Sequence, residues 1–207
     1  MKLQHLAPFA LLALSSTALA DGFYGVGEVT YSSNSLDHAH FDGALLANGA
    51  TGLSSEDSGS GYHWRLQGGY RFNPNFALEG GYIDFGKADY TASYNGGSAH
   101  GSLKAGGVDL AALLLLPLND SFTVFGKLGA VAAKVDSSLT AGAPASLASG
   151  SESVRVYDPL LGVGALYKVS DHVDLRADYD YVGNLGKSGK TGKMDANMFS
   201  LGIAYNF

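Results

Sequence analysis

The feature that most constrains this chain is a repeated alternation of large apolar residues with small or polar ones. In 199–207 every odd-numbered residue is large and apolar, and every even-numbered residue is small or polar. In 173–181 the odd positions are apolar and the even positions are all charged. Because successive side chains of a strand point to opposite faces, both segments predict strands with one apolar face. Segments of about ten residues with this pattern are typical of membrane-spanning strands.

The breaks between these segments alternate between short and long, which indicates how the strands are connected. The short breaks are 73–75, 117–121 and 168–172, and the long ones, rich in Gly, Ser, Ala and Asn, are 33–60, 87–101, 136–152 and 183–197. Short periplasmic turns and long external loops characterise outer-membrane barrels. The chain is therefore predicted to be all-β, an eight-stranded antiparallel up-and-down transmembrane β-barrel. Both termini are then expected on the periplasmic side.

A soluble barrel of the lipocalin type is the main structural alternative, because it has the same strand count and the same alternation. It does not explain why so many aromatic residues occupy the outward positions. The chain has 12 Tyr and 10 Phe but only 15% charged residues, a composition that suits a lipid-facing surface. We therefore favour the membrane barrel.

The first twenty residues have the organisation of a secretory signal peptide. Lys2 supplies a positive charge, 6–14 is apolar, and Ala18-Leu19-Ala20 is a small-residue cleavage site. The apolar stretch is too short to cross a bilayer as a helix. We predict that residues 1–20 are removed and that 21–207 is a single barrel domain in the cell outer membrane. Periplasmic chaperones and the barrel-assembly machinery are the partners expected during its biogenesis.

The overall composition excludes several other classes of protein. The chain has no Cys, which excludes a disulfide-stapled secreted framework. Its net charge is -6 and it has no run of Lys or Arg, so nucleic-acid binding is not expected. We predict a monomer without a cofactor.

Four segments resemble the OmpA-like transmembrane domain family, which is the eight-stranded barrel of the enterobacterial protein OmpA. These segments are GGYRFNPNFALEGGYIDFG (68–86), KAGGVDLAALLLLPLNDSFTVFGKLGAVAAKVD (104–136), DPLLGVGALYKVSDHVDLRADYDYVGNLG (158–186) and FSLGIAYNF (199–207). The resemblance covers most strands in order, whereas the external loops do not match. Larger members of the family carry a peptidoglycan-binding domain after the barrel. This chain ends at Phe207, so cell-wall anchoring by that route is not expected.

Charged residues on the inward face predict a paired interior. A barrel of eight strands is just wide enough for its side chains to fill, so inward charges must pair inside it. Four inward charges lie at a similar distance, about four to eight residues, from the periplasmic ends of their strands: Glu28, Glu79, Lys127 and Arg176. At about 3.3 Å per residue, this distance places them in one middle layer of the barrel. We predict that these four residues form an interior ion-pair cluster. The further lumen charges predicted are Arg65, Asp109 and Asp178.

The resemblance also raises the question of a gated pore. In the resembled family, Glu79 and Arg176 correspond to a carboxylate and a guanidinium that pair across the lumen. A second Lys/Glu pair lets that bridge exchange partners and open a path. Here the positions of the second pair are Leu113 and Leu166, and Glu28 replaces a basic residue. Gating by this exchange is therefore not expected unless Lys127 substitutes, and we favour a cluster that holds the barrel closed.

Residues suited to other chemistry lie in the predicted external loops. Asp37, His38 and His40, or His100 with Ser102, are the residue types of a hydrolase, but a nucleophile needs its base within hydrogen-bond reach. Sequence spacing alone does not provide that contact. The segment Asp37-His38-Ala39-His40 could also hold a metal, because residues two apart on an extended chain face the same side, but no third strong ligand is identifiable from spacing. Neither catalysis nor metal binding is predicted.

Three functions remain compatible with the sequence. The leading prediction is a structural outer-membrane barrel that contributes to the envelope and displays its external loops. The alternatives are a narrow porin for ions or small solutes and a surface adhesin or receptor that acts through the loops. Lys104 and Arg155 lie outward near the external strand ends, where they are candidates for contact with lipopolysaccharide phosphates or for ordinary snorkelling.

Overall fold

The computed structural model describes residues 22–36, 39–187 and 190–207, so the predicted signal peptide lies outside the described residues. The strands are β1 Phe23–Leu36, β2 Ser54–Ser58, β3 Ser60–Asn73, β4 Phe76–Tyr94, β5 Gly97–Pro117, β6 Phe122–Ala141, β7 Gly150–Lys168, β8 Val173–Lys187 and β9 Gly192–Asn206. The helices are α1 Ala39–Ala47 and the short 3₁₀ helix Ser146–Ala148.

The long strands close into a ring in which every pairing is antiparallel. Around the ring the order is β1, β3, β4, β5, β6, β7, β8 and β9, and β9 pairs again with β1. The short strand β2 pairs with the distal part of β4 and is not part of the ring. The predicted eight-stranded up-and-down barrel is therefore confirmed.

Three short turns join strands at one end of the barrel, which we call the turn end. Asn73 Oδ1 accepts a hydrogen bond from the backbone N–H of Asn75, at 2.9 Å. Asn119 Oδ1 accepts two, from Ser121 and Phe122, each at 2.9 Å. These Asn side chains replace backbone partners that the turns do not supply, as Asn commonly does in tight connections. β1 begins and β9 ends at this same end of the barrel.

The boundaries predicted for the long loops are wrong, because strands continue into all four of them and most fully into 87–101. β4 and β5 extend to a two-residue turn, Asn95-Gly96, in which Gly96 has φ +89°. Asn-Gly is the favoured sequence for such a turn. β6 with β7, and β8 with β9, also continue far beyond the predicted limits. Ser, Ala and Gly are weak strand formers, but strand pairing and burial of the inward side chains outweigh that preference. We call this opposite end of the barrel the hairpin end.

The connection between β1 and β3 folds over the opening at the hairpin end. Phe41 and Leu45 of α1 are buried, and the Phe41 ring stacks on Tyr90 with centroids 4.8 Å apart. The Tyr90 hydroxyl donates a hydrogen bond to Asp42 Oδ1 at 2.5 Å. The helix also contacts β9 and the 3₁₀ helix, so it covers the opening. Within the described ranges, no helix has the length and apolar character needed to cross a membrane.

The outward surface carries an aliphatic band between two rows of aromatic side chains. The row near the turn end includes Phe23, Phe72, Phe76, Phe122, Tyr167, Tyr205 and Phe207. The row towards the hairpin end includes Tyr31, Tyr62, Trp64, Tyr82, Tyr157, Tyr179, Tyr181 and Phe199. Between them lie Leu66, Val108, Leu110, Leu128, Leu161, Val163, Leu175, Leu201 and Ile203. An apolar band with aromatic girdles at both interfaces is the lipid-facing surface of an outer-membrane barrel.

Candidate functional site in the barrel interior

Arg176 lies at the centre of the ion pairs inside the barrel. Its Nη1 and Nη2 atoms bind the two carboxylate oxygens of Glu79 at 2.5 and 3.0 Å. The same guanidinium contacts Asp178 Oδ2 at 2.9 Å and lies 3.3 Å from Glu28 Oε1. The hydroxyl of Tyr24 donates to Glu79 Oε1 at 2.7 Å. A guanidinium suits this position, because its planar array of donors matches carboxylates in bidentate geometry.

Arg65 and Lys127 extend the ion pairs from this centre towards the hairpin end. Arg65 Nη1 contacts Asp180 Oδ2 at 2.5 Å and Glu28 Oε2 at 3.3 Å. Lys127 Nζ contacts Asp178 Oδ2 at 2.8 Å and Asp180 Oδ2 at 3.2 Å. Five strands contribute these side chains, so the contacts cross-link the barrel wall through its interior.

The structure brings the four residues of the predicted cluster into one group, together with further charges. We call this group the charge network: Glu28, Arg65, Glu79, Lys127, Arg176, Asp178 and Asp180. Lys127 reaches the aspartates of β8, and Asp109 lies beside the network, where it accepts a hydrogen bond from Gln67 at 2.8 Å. Asp180 was not predicted to belong to the cluster, although the unbroken run of charges at the even positions of 173–181 indicates an inward charge there.

Apolar side chains enclose the charge network at its sides and towards the turn end. The Phe125 ring centroid is 4.8 Å from the Arg176 guanidinium carbon and 5.9 Å from Lys127 Nζ, both within the range of cation–π contacts. Leu113 pairs across the strands with Lys127, and Leu166 pairs with Arg176. Both leucines are buried. At the two positions where the resembled family has its second Lys/Glu pair, this chain therefore has buried apolar side chains.

Between the charge network and the hairpin end, most of the buried inward side chains are apolar, although Asp158 and Ser137 also lie there. We call this part the upper apolar layer: Ile83, Phe85, Leu103, Val131, Val135, Val156, Leu160, Val182 and Met198. Each of these side chains is at most 6% exposed, so the layer is packed. The paired, charged interior that the sequence predicts lies in the middle of the barrel.

Two glycines of β7 provide the space for the carboxylates of β8. A Cβ atom at Gly162 would collide with Asp180 Oδ1, and one at Gly164 would collide with the Phe125 ring and with Asp178. Both glycines therefore leave room for side chains of the charge network in a narrow lumen. The sequence analysis did not identify them as part of this site.

The residues considered for other chemistry are placed apart from this site. Positions 37–38 lie outside the described residues, and His40 belongs to α1, so the extended conformation assumed for a metal site is wrong there. His100 and Ser102 point outward from β5, where the Ser102 hydroxyl lies 3.0 Å from that of Ser138. Within the described ranges, no three His, Cys, Asp or Glu side chains form a group able to hold a metal ion.

A closed ring of eight antiparallel strands, with a girdled apolar exterior and a paired charged interior, defines the class of integral outer-membrane β-barrels. The model of the OmpA-like transmembrane domain matches residues 28–207, and the chain belongs to that family. It is therefore an outer-membrane β-barrel with surface loops.

Two relatives illustrate how much of the family's larger proteins this chain spans. Outer membrane protein A of Serratia marcescens is 34% identical over 67% of this chain and 37% of the relative. Outer membrane protein A of Klebsiella pneumoniae is 30% identical over 96% of this chain and 54% of the relative. The chain thus spans about half or less of the length of these two relatives.

Solved structures share the barrel fold at low sequence identity. Neisserial surface protein A matches with a TM-score of 0.56 and 15% identity, over 90% of this chain and 98% of that one. The attachment invasion locus protein Ail of Yersinia pestis, in complex with the heparin analogue sucrose octasulfate, matches with a TM-score of 0.52 and 16% identity. That match covers 90% of this chain and 99% of Ail.

Proposed function

We propose that this protein is a closed, non-enzymatic barrel that contributes to the structure of the outer membrane and displays its hairpins at the cell surface. The observation that carries the proposal is the filled interior. A buried charge network occupies the middle of the lumen, and a packed apolar layer lies between it and the hairpin end. An ion would have to separate buried pairs and then pass closely packed, mainly apolar side chains, and each step is costly.

The proposal includes an orientation in which the turn end and both termini face the periplasm. A membrane strand needs about 9–11 residues to cross the bilayer. β5 has 21 residues and β6 has 20, so each continues for roughly ten residues beyond the bilayer. The continuation is on the side of the hairpin end, as expected for the exposed side of such a barrel.

Single-cysteine labelling of intact cells tests this orientation, because the chain has no native Cys. Asn95 lies at the tip of the β4–β5 hairpin, and Asp120 lies in the turn between β5 and β6. Two variants, Asn95→Cys and Asp120→Cys, place one cysteine at each position. A membrane-impermeant maleimide should label the first in intact cells and the second only after the outer membrane is permeabilised. Labelling in the reverse pattern would contradict the orientation.

Swelling of proteoliposomes in small solutes tests the closed interior. The protein should first be shown to be folded by its heat-dependent gel shift. We expect vesicles with the folded barrel to swell no faster than protein-free vesicles. Swelling that depends on solute size would instead support the narrow porin, and loss of cell attachment after hairpin deletion would support an adhesin.

The proposal also covers assembly. We expect a monomer without a cofactor, from which 1–20 is removed during export with the help of periplasmic chaperones and the barrel-assembly machinery. Depletion of that machinery should leave the barrel sensitive to heat and protease in the gel-shift assay. Normal folding under depletion would contradict this part.

A further inference from the structure

Four cations cluster on the outward face of strands β4 to β7, near the hairpin end. We call them the cationic face: Lys87, Lys104, Lys134 and Arg155. Lys87 is directly opposite Lys104, and Lys134 is directly opposite Arg155. Like charges directly opposite on one sheet face destabilise a strand pair. Two such pairs on adjacent strands therefore indicate that the face is adapted to something other than its own stability.

Acidic neighbours neutralise only part of the cationic face. Lys87 pairs with Asp89 at 2.6 Å, and Lys134 pairs with Asp136 at 2.8 Å. All four of these side chains are about half exposed, so the pairs hold their partners weakly. The carboxylate of a further acidic residue on β4, Asp84, accepts a hydrogen bond from the backbone N–H of Gly86 at 2.9 Å, so it is engaged by the backbone.

The other two cations have no salt bridge with the described residues. Lys104 and Arg155 are both exposed, and each stands on the outward side of its strand. They lie on strands separated by β6 and two residues apart in register, which separates their backbones by roughly 12 Å from ordinary strand geometry. Two separated cations suit an anion with two separated charges.

An apolar groove of about 410 Å³ lies beside the cationic face on its membrane side. Tyr82 and Tyr157 form its walls, while the small residues Gly106 and Ala132 with Val108 form its floor. The two walls are on β4 and β7, roughly 14 Å apart at ordinary strand spacing. Lys134 and Arg155 also line the groove, so it leads directly to the cations. Its dimensions and lining suit acyl chains.

A polar hollow of about 320 Å³ lies on the other side of the cationic face, towards the hairpin tips. Its lining includes Ser102, Ser138, Ser151, Ser153 and Lys104, together with the carboxylates of Glu152 and of Asp136, which lies directly opposite Lys104. The hydroxyls of Ser102 and Ser138 are 3.0 Å apart, and each retains the capacity for further hydrogen bonds. Clustered hydroxyls of this kind can hydrogen-bond to a sugar.

We propose that the outward face of β4 to β7 binds lipopolysaccharide through its lipid A moiety. The acyl chains lie in the groove between Tyr82 and Tyr157, the phosphates contact Lys104 and Arg155, and the sugar hydroxyls meet the serine hollow. In lipid A the acyl chains and the phosphates are both attached to a disaccharide, so apolar, anionic and hydroxyl groups lie close together, as the apolar groove, cations and hydroxyls do along these strands. A lone snorkelling cation needs neither the groove nor the hollow. The inference rests on the proposed function, because it requires the hairpin end to face the outside.

Native mass spectrometry of the folded protein in detergent tests the proposal. The probes are bisphosphorylated lipid A, the same lipid without phosphates, and phosphatidylglycerol. Each membrane-proximal cation contributes about 1 kcal/mol to binding of an anionic lipid. Lys104→Gln and Arg155→Gln should therefore each weaken binding of bisphosphorylated lipid A about five-fold, and the double variant about 25-fold. Lys168→Gln, at the turn end, is the matched control and should leave binding unchanged.

Three results would overturn the proposal. They are equal binding of the dephosphorylated lipid, equal binding of phosphatidylglycerol, and unchanged affinity in the double variant. The two comparisons of lipids use the wild type alone, so they decide the matter even if a variant folds poorly. Failure of binding by a barrel whose Asn95→Cys is labelled on intact cells removes this inference and leaves the proposed function standing. Labelling in the reverse pattern would instead refute the orientation.

Discussion

Arg176 contacts three carboxylates with one guanidinium, so its loss would strand several buried charges at once. Glu79 would lose its bidentate partner, and Glu28 and Asp178 would lose one cationic neighbour each. Removing one partner of a buried ion pair costs more stability than replacing the whole pair by apolar residues, because the remaining charge stays buried without water or a partner. The stability of this interior therefore depends strongly on single residues.

Replacing Arg176 by Met should lower the free energy of unfolding by about 3–5 kcal/mol. Urea titration in detergent micelles, read by the gel shift, measures this change. Lys168→Met is the control, since it removes the exposed Lys168–Asp171 pair (2.9 Å) and should have no measurable effect. Equal midpoints for wild type and Arg176→Met would show that the charge network does not stabilise the fold.

Gly162→Ala should destabilise the barrel by about 1–3 kcal/mol, a typical cost of overpacking. The new methyl group would displace the Asp180 carboxylate, which contacts both Arg65 and Lys127. Gly126→Ala is the matched control, because its Cβ would meet nothing within 4 Å. The same urea titration measures both variants. An equal loss of stability in Gly162→Ala and Gly126→Ala would contradict the role given to Gly162.

For individual residues, the sequence predicted which side chains point inward but not which atoms make contact. Alternation and distance from the strand end were sufficient to group Glu28 with Arg176. The long side chains of Arg65 and Lys127 reach past their own level, so Asp180 joined the network without being predicted. The role of Gly162 depends on space left by a neighbouring strand, and a single sequence does not reveal that space.

Among the elements, strand order and the short turns were predictable, whereas the lengths of the hairpins were not. The alternation identifies a strand where large and polar residues contrast strongly, as in β9. In 136–141 of β6 the outward residues are Asp, Ser and Thr and the inward ones are Ser, Leu and Ala, so the contrast is weak. Pairing with β5 and β7 on both sides nevertheless keeps this segment extended.

The helix α1 contacts the barrel through the stack of Phe41 on Tyr90 and through hydrogen bonds that Tyr90 and Ser55 donate to Asp42. Burial, followed by the hydrogen bond to Asp42, raises the pKa of Tyr90 above its ordinary value. A raised pKa in the folded state means that the neutral hydroxyl stabilises the contact. This contribution is complete below about pH 10 and decreases as the pH rises above that value.

Tyr90→Phe should therefore loosen α1 by about 1–2 kcal/mol while keeping the stack on Phe41. Cleavage within 39–47 by a protease active at alkaline pH measures the opening of the helix. The variant should be cleaved faster than wild type at neutral pH, and the difference should shrink above about pH 10. Tyr62→Phe, on the outward surface, should behave as wild type. A difference between Tyr90→Phe and wild type that persists unchanged at high pH would contradict the assignment.

Taken as a whole, the molecule closes its lumen at two successive levels. The charge network fills the middle, and the upper apolar layer fills the space towards α1. The family resemblance was sufficient to predict the barrel and the Glu79–Arg176 pair. The second level was not predicted, because a single sequence does not reveal which apolar side chains meet across the lumen.

Single-channel recording of the folded protein in planar bilayers, comparing wild type with Arg176→Ala, tests this account most directly. We expect wild type to be electrically silent. The variant should also remain silent, because the upper apolar layer still closes the lumen when the charge network is broken. Discrete openings in the folded wild type that change with Arg176→Ala would contradict the account and establish a pore gated at the charge network.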